Sequence, residues 1–155
     1  MNAKRKLYEE LAHQARSLLT GERDTVANAA NLSALIWQSL PGLNWAGFYF
    51  LKGRELVLGP FQGKPACVRI AMGTGVCGTA AASAQTILVP DVHRFCGHIA
   101  CDAASNSELA APLIAAGHVI GVLDLDSPLF GRFDAEDGVG IEALARLWVE
   151  ASDRF

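Results

Sequence analysis

The chain has 155 residues, of which 51% are hydrophobic and 19% are charged, which excludes a disordered protein and allows one domain with a substantial core. The formal net charge is -3 and basic residues cluster only at positions 4–6, so the sequence carries no nucleic-acid footprint. No apolar signal segment opens the chain, and its longest apolar stretch, 109–123, is shorter than the roughly 20 residues of a membrane helix. We therefore expect a cytoplasmic protein without membrane contact.

The N-terminal part of the chain predicts two helices. Apolar residues recur at helical spacing from Leu7 to Leu19, and this pattern stops at a glycine. A second helix is predicted from Asp24, a suitable N-cap residue, to about residue 40, where a Pro-Gly pair ends the pattern.

From residue 44 onward the hydrophobic period changes to that of strands. "NWAGFYFLKGRELVLG" predicts a hairpin with its turn at 52–54, "ACVRIAMG" a third strand, and "GTGVCGTAAASAQ" a glycine-rich entry into a short helix. "TILVPDV" predicts a fourth strand, which an irregular loop over 91–107 follows. "SELAAPLIAAGHVIGVLDLDS" predicts two strands around a turn at 116–117, and an amphipathic helix with Asp134 as its cap closes the chain.

These elements predict an α+β fold: a central antiparallel β-sheet of about six strands flanked by N-terminal and C-terminal helices. The sequence shows no repeat and no linker, so we predict one domain over 1–155. Its helical N-terminal segment spans about 1–40, the sheet with its loops about 44–130, and the final helix about 134–152. The 91–107 loop is longer than most connections in small domains, and such loops often line functional sites.

The chain contains four cysteines: Cys67, Cys77, Cys96 and Cys101. A reducing cytosol disfavours structural disulfides, so each is interpreted as a buried thiol, a metal ligand or a redox-active group. His93, Cys96, His98 and Cys101 lie within nine residues and are zinc-ligand types. Structural zinc sites usually pair two separated ligand clusters, however, and this chain offers one, so we predict no metal site.

Strand alternation places two further groups of side chains. Asp124 and Asp126 share one face of "VLDLD", which points either to solvent or into a cleft where paired carboxylates could bind a cation or donate a proton. Trp45 and Tyr49 share one face of "NWAGFYF", opposite an alanine and two phenylalanines that are typical of a core. The two rings therefore line either a pocket or a second packing surface.

The glycine-rich segment "GTGVCGTAA" offers the free N–H groups of a helix start, which can hold a carboxylate. Cys77 lies near that N-terminus, where its pKa could be depressed, or it is a buried structural thiol in a tight turn. A cysteine, an aromatic wall, an anion-binding turn and several acids together suit a small zwitterion.

Seven short motifs in this order resemble the free methionine-(R)-sulfoxide reductases, a family of single GAF domains: "WAGFYF", "GPFQGKPAC", "GVCGTAA", "VPDV", "GHIACD", "SELAAPL" and "GVLDLDS". The resemblance extends from about residue 40 through the last helix. It implies a GAF-like fold and an oxidoreductase that protects against oxidative stress by reducing free, not protein-bound, methionine-(R)-sulfoxide to methionine.

The resemblance implies a role for three of the cysteines. Cys101 in "GHIACD" is the nucleophile that becomes a sulfenic acid, Cys67 in "GPFQGKPAC" is the resolving cysteine, and Cys77 in "GVCGT" is the third. The resulting disulfide is then reduced by a thioredoxin-like dithiol, and no cofactor is needed.

The resemblance also carries over the residues of the substrate pocket. Glu108 and Asp124 are expected near the sulfoxide oxygen, with one carboxyl acting as proton donor, and Asp126 is expected to pair with the substrate ammonium. Trp45 and Tyr49 are expected to pack around the methyl and thioether carbons.

Three alternatives stay open at this point. Members of the family usually have proline before the "GHIACD" glycine, where this chain has Cys96, so Cys67, Cys77 and Cys96 all remain candidates for the first resolving thiol. A GAF module that binds a small ligand without catalysis is the main alternative function, since a fold alone does not define an activity. The sequence also leaves open whether the protein is a homodimer.

Overall fold

The computed structural model describes residues 2–98 and 101–154. Within them the helices are α1 (Ala3–Leu19), α2 (Thr25–Ser39), α3 (Gly75–Ser83) and α4 (Ala135–Ala151). The strands are β1 (Trp45–Lys52), β2 (Glu55–Gly63), β3 (Arg69–Ala71), β4 (Ile87–Val89), β5 (Ser107–Ala115) and β6 (His118–Ser127). Of the predicted 91–107 loop, 92–94 form a short 3-10 helix, and positions 99 and 100 lie outside the described residues. Across the described chain, every helix is too short or too polar to span a bilayer.

All strands join one antiparallel sheet in the order β3-β2-β1-β6-β5-β4, which confirms the predicted α+β class. The two predicted hairpins, β1–β2 and β5–β6, lie next to each other, so β1 and β6 form the centre. The third strand is shorter than predicted. It begins at Arg69, so Cys67 lies in the connection between β2 and β3 and not in a strand.

Side chains close the helix ends where the sequence predicts. Asp24 accepts a hydrogen bond from the Ala27 N–H, and Asp134 caps α4 by accepting from the N–H groups of residues 136 and 137. Asp137 is 1% exposed, and its carboxylate accepts from the Tyr8 hydroxyl at 2.7 Å and the Lys4 Nζ at 2.8 Å. This buried carboxylate therefore ties α1 to the start of α4.

The two faces of the sheet carry two separate cores. Helices α1, α2 and α4 cover the larger core, in which Phe48 packs on Trp148 at a ring distance of 5.2 Å. Helix α3 covers the other face, where Trp45 and Tyr49 are buried beside Val122. The alternation predicted for β1 is confirmed, and it directs the two polar-tipped rings to the side of the sheet that carries the pocket described next.

Candidate active site

One pocket lies on the α3 face of the sheet and has a volume of about 550 Å³, including solvent at its mouth. Seven of the eight predicted site residues line it: Trp45, Tyr49, Cys77, Cys101, Glu108, Asp124 and Asp126. The eighth, Cys67, is bonded to Cys101. The structure therefore brings together the whole set of residues that the sequence motifs indicated.

Cys67 and Cys101 form a disulfide, with their Cα atoms 5.6 Å apart across 34 residues of sequence separation. Of the three candidate partners for Cys101, the structure joins Cys67. Cys77 and Cys96 are free thiols, the first buried and the second exposed. The pair lies at the pocket because Cys101 belongs to its lining.

Three carboxyl groups from the two adjacent strands β5 and β6 face this pocket. Glu108 on β5 lies directly opposite Asp126 on β6, and Asp124 lies two residues before Asp126 on the same face of that strand. Glu108 is only 7% exposed and Asp124 only 4%. The acidic face of β6 therefore points into a cleft and not to bulk solvent, which resolves the alternative left open by the sequence.

Burial and mutual repulsion raise the pKa of all three groups. Desolvation first, and then the charge of Asp124, raise the pKa of Glu108 well above its usual range. The pKa of Asp124 is raised by burial and by Asp126, and that of Asp126 by burial and by Glu108. Such a cluster retains acidic protons at pH values where exposed carboxyls are ionised, which suits a proton donor.

Cys77 is a protonated thiol in this environment. Burial first, and then the charges of Asp124 and Glu108, raise its pKa well above the ordinary value, and its Sγ donates to Glu108 Oε1 at 3.7 Å. Of the two alternatives for Cys77, the structure therefore favours the buried thiol over a thiol with a depressed pKa, because desolvation and neighbouring acids outweigh the effect of the nearby helix N-terminus.

The start of α3 borders the pocket through residues 74–77. Thr74 makes no side-chain cap hydrogen bond, so the first N–H groups of α3 are left without a side-chain acceptor at that position. Gly75 has a φ of +64°, a left-handed conformation that glycine adopts without strain. These features fit the anion-binding turn expected from the sequence.

The polar tips of the aromatic wall contact the segment that carries Cys67. The Tyr49 hydroxyl donates to the Cys67 carbonyl oxygen at 2.8 Å, and the Trp45 Nε1–H donates to the Lys64 carbonyl oxygen at 3.2 Å. The two rings stack at a centroid distance of 5.8 Å, and Phe61 also stacks on Trp45 at 5.1 Å.

Sequence reasoning gave little weight to His98 and missed Asn44. His98 Nε2 lies 3.9 Å from Glu108 Oε2, and burial lowers the histidine pKa. Asn44 Nδ2 donates to Asp102 Oδ2 at 3.1 Å and to Ser105 Oγ at 3.0 Å, so it fastens the loop after Cys101 to the start of β1. Asp102 and Ser105 lie close to Cys101 in sequence, but no local signal indicates Asn44.

One group of described side chains is arranged as metal ligands could be. Cys77, Glu108 and Asp124 each offer one ligand atom, and all three atoms lie within 4.8 Å of one another. Ligand atoms bound to one zinc ion lie nearer about 3.5 Å, as its bond lengths of about 2.0–2.3 Å require, so the group is wider than a formed zinc site. The cysteines and histidines of 93–101 form no such group among the described residues.

Fold and site together define a GAF domain with a disulfide-forming cysteine pair beside an acidic pocket, and the GAF domain family model matches residues 6–148. The free methionine-R-sulfoxide reductase of Escherichia coli is 54% identical over 141 residues, which cover 91% of this chain and 86% of the relative. The chain belongs to the free methionine-R-sulfoxide reductase family.

Two solved structures extend this comparison. The free methionine-R-sulfoxide reductase of Neisseria meningitidis, solved in complex with its substrate, is 42% identical, with a TM-score of 0.93 over 97% of this chain and 91% of that one. A protein of Burkholderia vietnamiensis described as a GAF sensor is 64% identical, with a TM-score of 0.94 over 97% and 96% of the two chains.

Proposed function

We propose that this protein reduces free L-methionine-(R)-sulfoxide to L-methionine through a sulfenic acid on Cys101 and an intramolecular disulfide with Cys67. The observation that carries the proposal is the Cys67–Cys101 disulfide beside a pocket of buried carboxyls. A module that only binds a ligand needs neither feature. The E. coli and N. meningitidis relatives are reductases of this sulfoxide by name.

The first step transfers oxygen from the substrate to Cys101. The Cys101 sulfur attacks the sulfoxide sulfur and forms a transient S–S bond with it. The S–O bond of the substrate then breaks as the protonated oxygen transfers to the Cys101 sulfur, which becomes the sulfenic acid, and the S–S bond breaks as methionine leaves with the electron pair. The sulfoxide sulfur is reduced by two electrons and the cysteine sulfur is oxidised by two. Glu108 or Asp124 supplies a proton to the sulfoxide oxygen, because burial and neighbouring charge raise the pKa of both carboxyls.

The remaining groups of the pocket bind the ends of the amino acid. Asp126 pairs with the substrate ammonium, the N–H groups at the start of α3 take its carboxylate, and the rings of Trp45 and Tyr49 contact its methyl and thioether carbons. A methionine sulfoxide within a peptide lacks both charged termini. This arrangement therefore selects the free amino acid.

The second step restores the site through thiol chemistry. The Cys67 thiol attacks the Cys101 sulfenic acid, the disulfide forms, and the oxygen leaves as water. A thioredoxin-like dithiol then reduces the disulfide in each cycle, which requires a reducing compartment such as the cytoplasm. Cys96 is exposed and stands outside this exchange, and Cys77 is a buried thiol beside the acids.

The deciding assay measures methionine formed from the R and S epimers of free methionine sulfoxide, with dithiothreitol as reductant. We expect turnover of the R epimer alone, its loss in Cys101→Ser, and its retention in Cys96→Ser, which removes an exposed thiol. Turnover of neither epimer by the wild type, with binding of a small ligand retained, would support the sensor alternative. Activity that survives in Cys101→Ser would refute the assignment of the nucleophile.

A further inference from the structure

The segment that carries Cys67 joins the sheet at its end, where the Leu58 N–H of β2 donates to the Val68 carbonyl oxygen at 2.9 Å. β2 ends at Gly63 and β3 begins at Arg69, so residues 64–68 form a connection between two strands. Lys64 and Pro65 are exposed, and Cys67 is half-buried. A mobile connection would lower the effective concentration of the Cys67 thiol near Cys101, because the two sulfur atoms would be close together in a smaller fraction of the conformations.

Two hydrogen bonds from the aromatic wall reach this connection near its two ends. The Trp45 Nε1–H donates a hydrogen bond to the Lys64 carbonyl oxygen, and the Tyr49 hydroxyl donates one to the carbonyl oxygen of Cys67 itself. Both rings are rigid supports, since Trp45 is 3% exposed, Tyr49 is 2% exposed, and both belong to the central strand β1. The donors therefore lie on a central strand of the sheet, and their acceptors lie in the connection between β2 and β3.

We propose that the Tyr49 hydroxyl and the Trp45 indole N–H are positioning groups that hold the Cys67 segment within disulfide reach of Cys101. The same two rings form the wall of the pocket, so one aromatic pair serves substrate binding with its faces and the resolving cysteine with its polar tips. Tyr49 stays a neutral donor over the working pH range, because burial and then the charge of Asp124 raise its pKa.

The consequence concerns the stability of the disulfide relative to the dithiol. A hydrogen bond that confines Cys67 near Cys101 favours the disulfide over the dithiol. This holds whether the hydrogen bond is already present in the dithiol or is made only when the disulfide forms. Deleting the Tyr49 hydroxyl leaves the ring in place and removes the partner of the Cys67 carbonyl. We expect the equilibrium between disulfide and dithiol to shift about tenfold toward the dithiol.

The test equilibrates wild type and Tyr49→Phe in dithiothreitol redox buffers, and counts disulfide by mass-tagging the free thiols after an acid quench. Phe61→Leu is the matched control, because it alters the packing on Trp45 while retaining both hydrogen bonds. Trp45→Phe is the second variant, and we expect a smaller shift because its acceptor lies three residues from Cys67. Thermal unfolding of both redox forms identifies a general loss of stability.

A shift of about tenfold in Tyr49→Phe, absent in Phe61→Leu, supports the proposal. A Tyr49→Phe equilibrium within about twofold of wild type, or an equal shift in Phe61→Leu, overturns it. If Tyr49→Phe does not fold, Trp45→Phe decides: a shift of more than about twofold that is absent in Phe61→Leu supports the proposal, and a shift within about twofold overturns it. The inference rests on the redox cycle proposed above, but this equilibrium is measured without substrate, so its failure is distinct from failure of the reductase assay.

Discussion

We expect the substitution Glu108→Gln to make the protein more stable and less active at neutral pH. Glu108 is 7% exposed and lies 3.7 Å from the Cys77 thiol, so its ionised form is poorly solvated. Because its pKa is raised in the fold, Glu108 keeps its proton there to higher pH than in the unfolded chain. The contribution of Glu108 to the free energy of unfolding is therefore fully present below about pH 4, the pKa of an unfolded glutamate. It is lost as the pH rises through the pKa of Glu108 in the folded protein.

The size of the change in unfolding free energy depends on how far the fold raises the pKa of Glu108. One unit of pKa displacement corresponds to about 1.4 kcal/mol, so each unit by which the fold raises the pKa of Glu108 destabilises the ionised fold by about that amount. Glutamine has the same shape and no titration, so the difference in unfolding free energy between Glu108→Gln and wild type should grow from pH 4 toward pH 8. Loss of the proton donor should lower kcat by about 10²–10⁴-fold.

Urea unfolding of the disulfide-bonded proteins at intervals from pH 4 to pH 8 measures the stability difference. Glu10→Gln, which removes the same charge from an exposed position on α1, is the control and should show no such slope. A difference between Glu108→Gln and wild type that stays constant over this range would refute the argument that the buried carboxyl opposes folding. An unchanged kcat would remove Glu108 from the proton-donor role.

Three further outcomes are expected. Asp137→Ala should lower the unfolding free energy by about 3 kcal/mol in urea titrations, because it leaves the buried Tyr8 hydroxyl without its acceptor; equal stability would show that the tie between α1 and α4 is dispensable. Native disulfide-bonded protein treated with iodoacetamide should gain one label by mass spectrometry, on exposed Cys96, while buried Cys77 reacts only after unfolding. Asp126→Asn should raise KM for the free sulfoxide about tenfold with a smaller effect on kcat, whereas an unchanged KM would contradict its pairing with the ammonium.

Much of the site follows from properties that act over a few residues. Strand alternation has a period of two, so the sequence alone places Trp45 with Tyr49, and Asp124 with Asp126, on common faces. Capping is equally local, and the N-cap role of Asp134 is confirmed by hydrogen bonds within its own first turn. The motif order adds the family, and with it the set of residues to search for.

Contacts between distant segments required the tertiary structure. Strand register sets Glu108 opposite Asp126, and the burial of Cys77 beside Asp124 and Glu108 raises the pKa of its thiol, which decides between the two alternatives that the sequence left open for it. No local pattern in the sequence specifies that the acidic face of β6 lines a pocket and is not exposed to bulk solvent.

The sequence by itself determined the α+β class, the order of its elements and the faces on which the aromatic and acidic side chains lie, because each depends on propensity and periodicity along one segment. The tertiary structure decided that Cys101 bonds with Cys67, and that Tyr49 donates to the Cys67 backbone. The physical reason is that both contacts join segments that are distant in sequence. Their formation depends on how the connections pack against the sheet, and the free energy of that packing comes from the whole fold and not from any single segment.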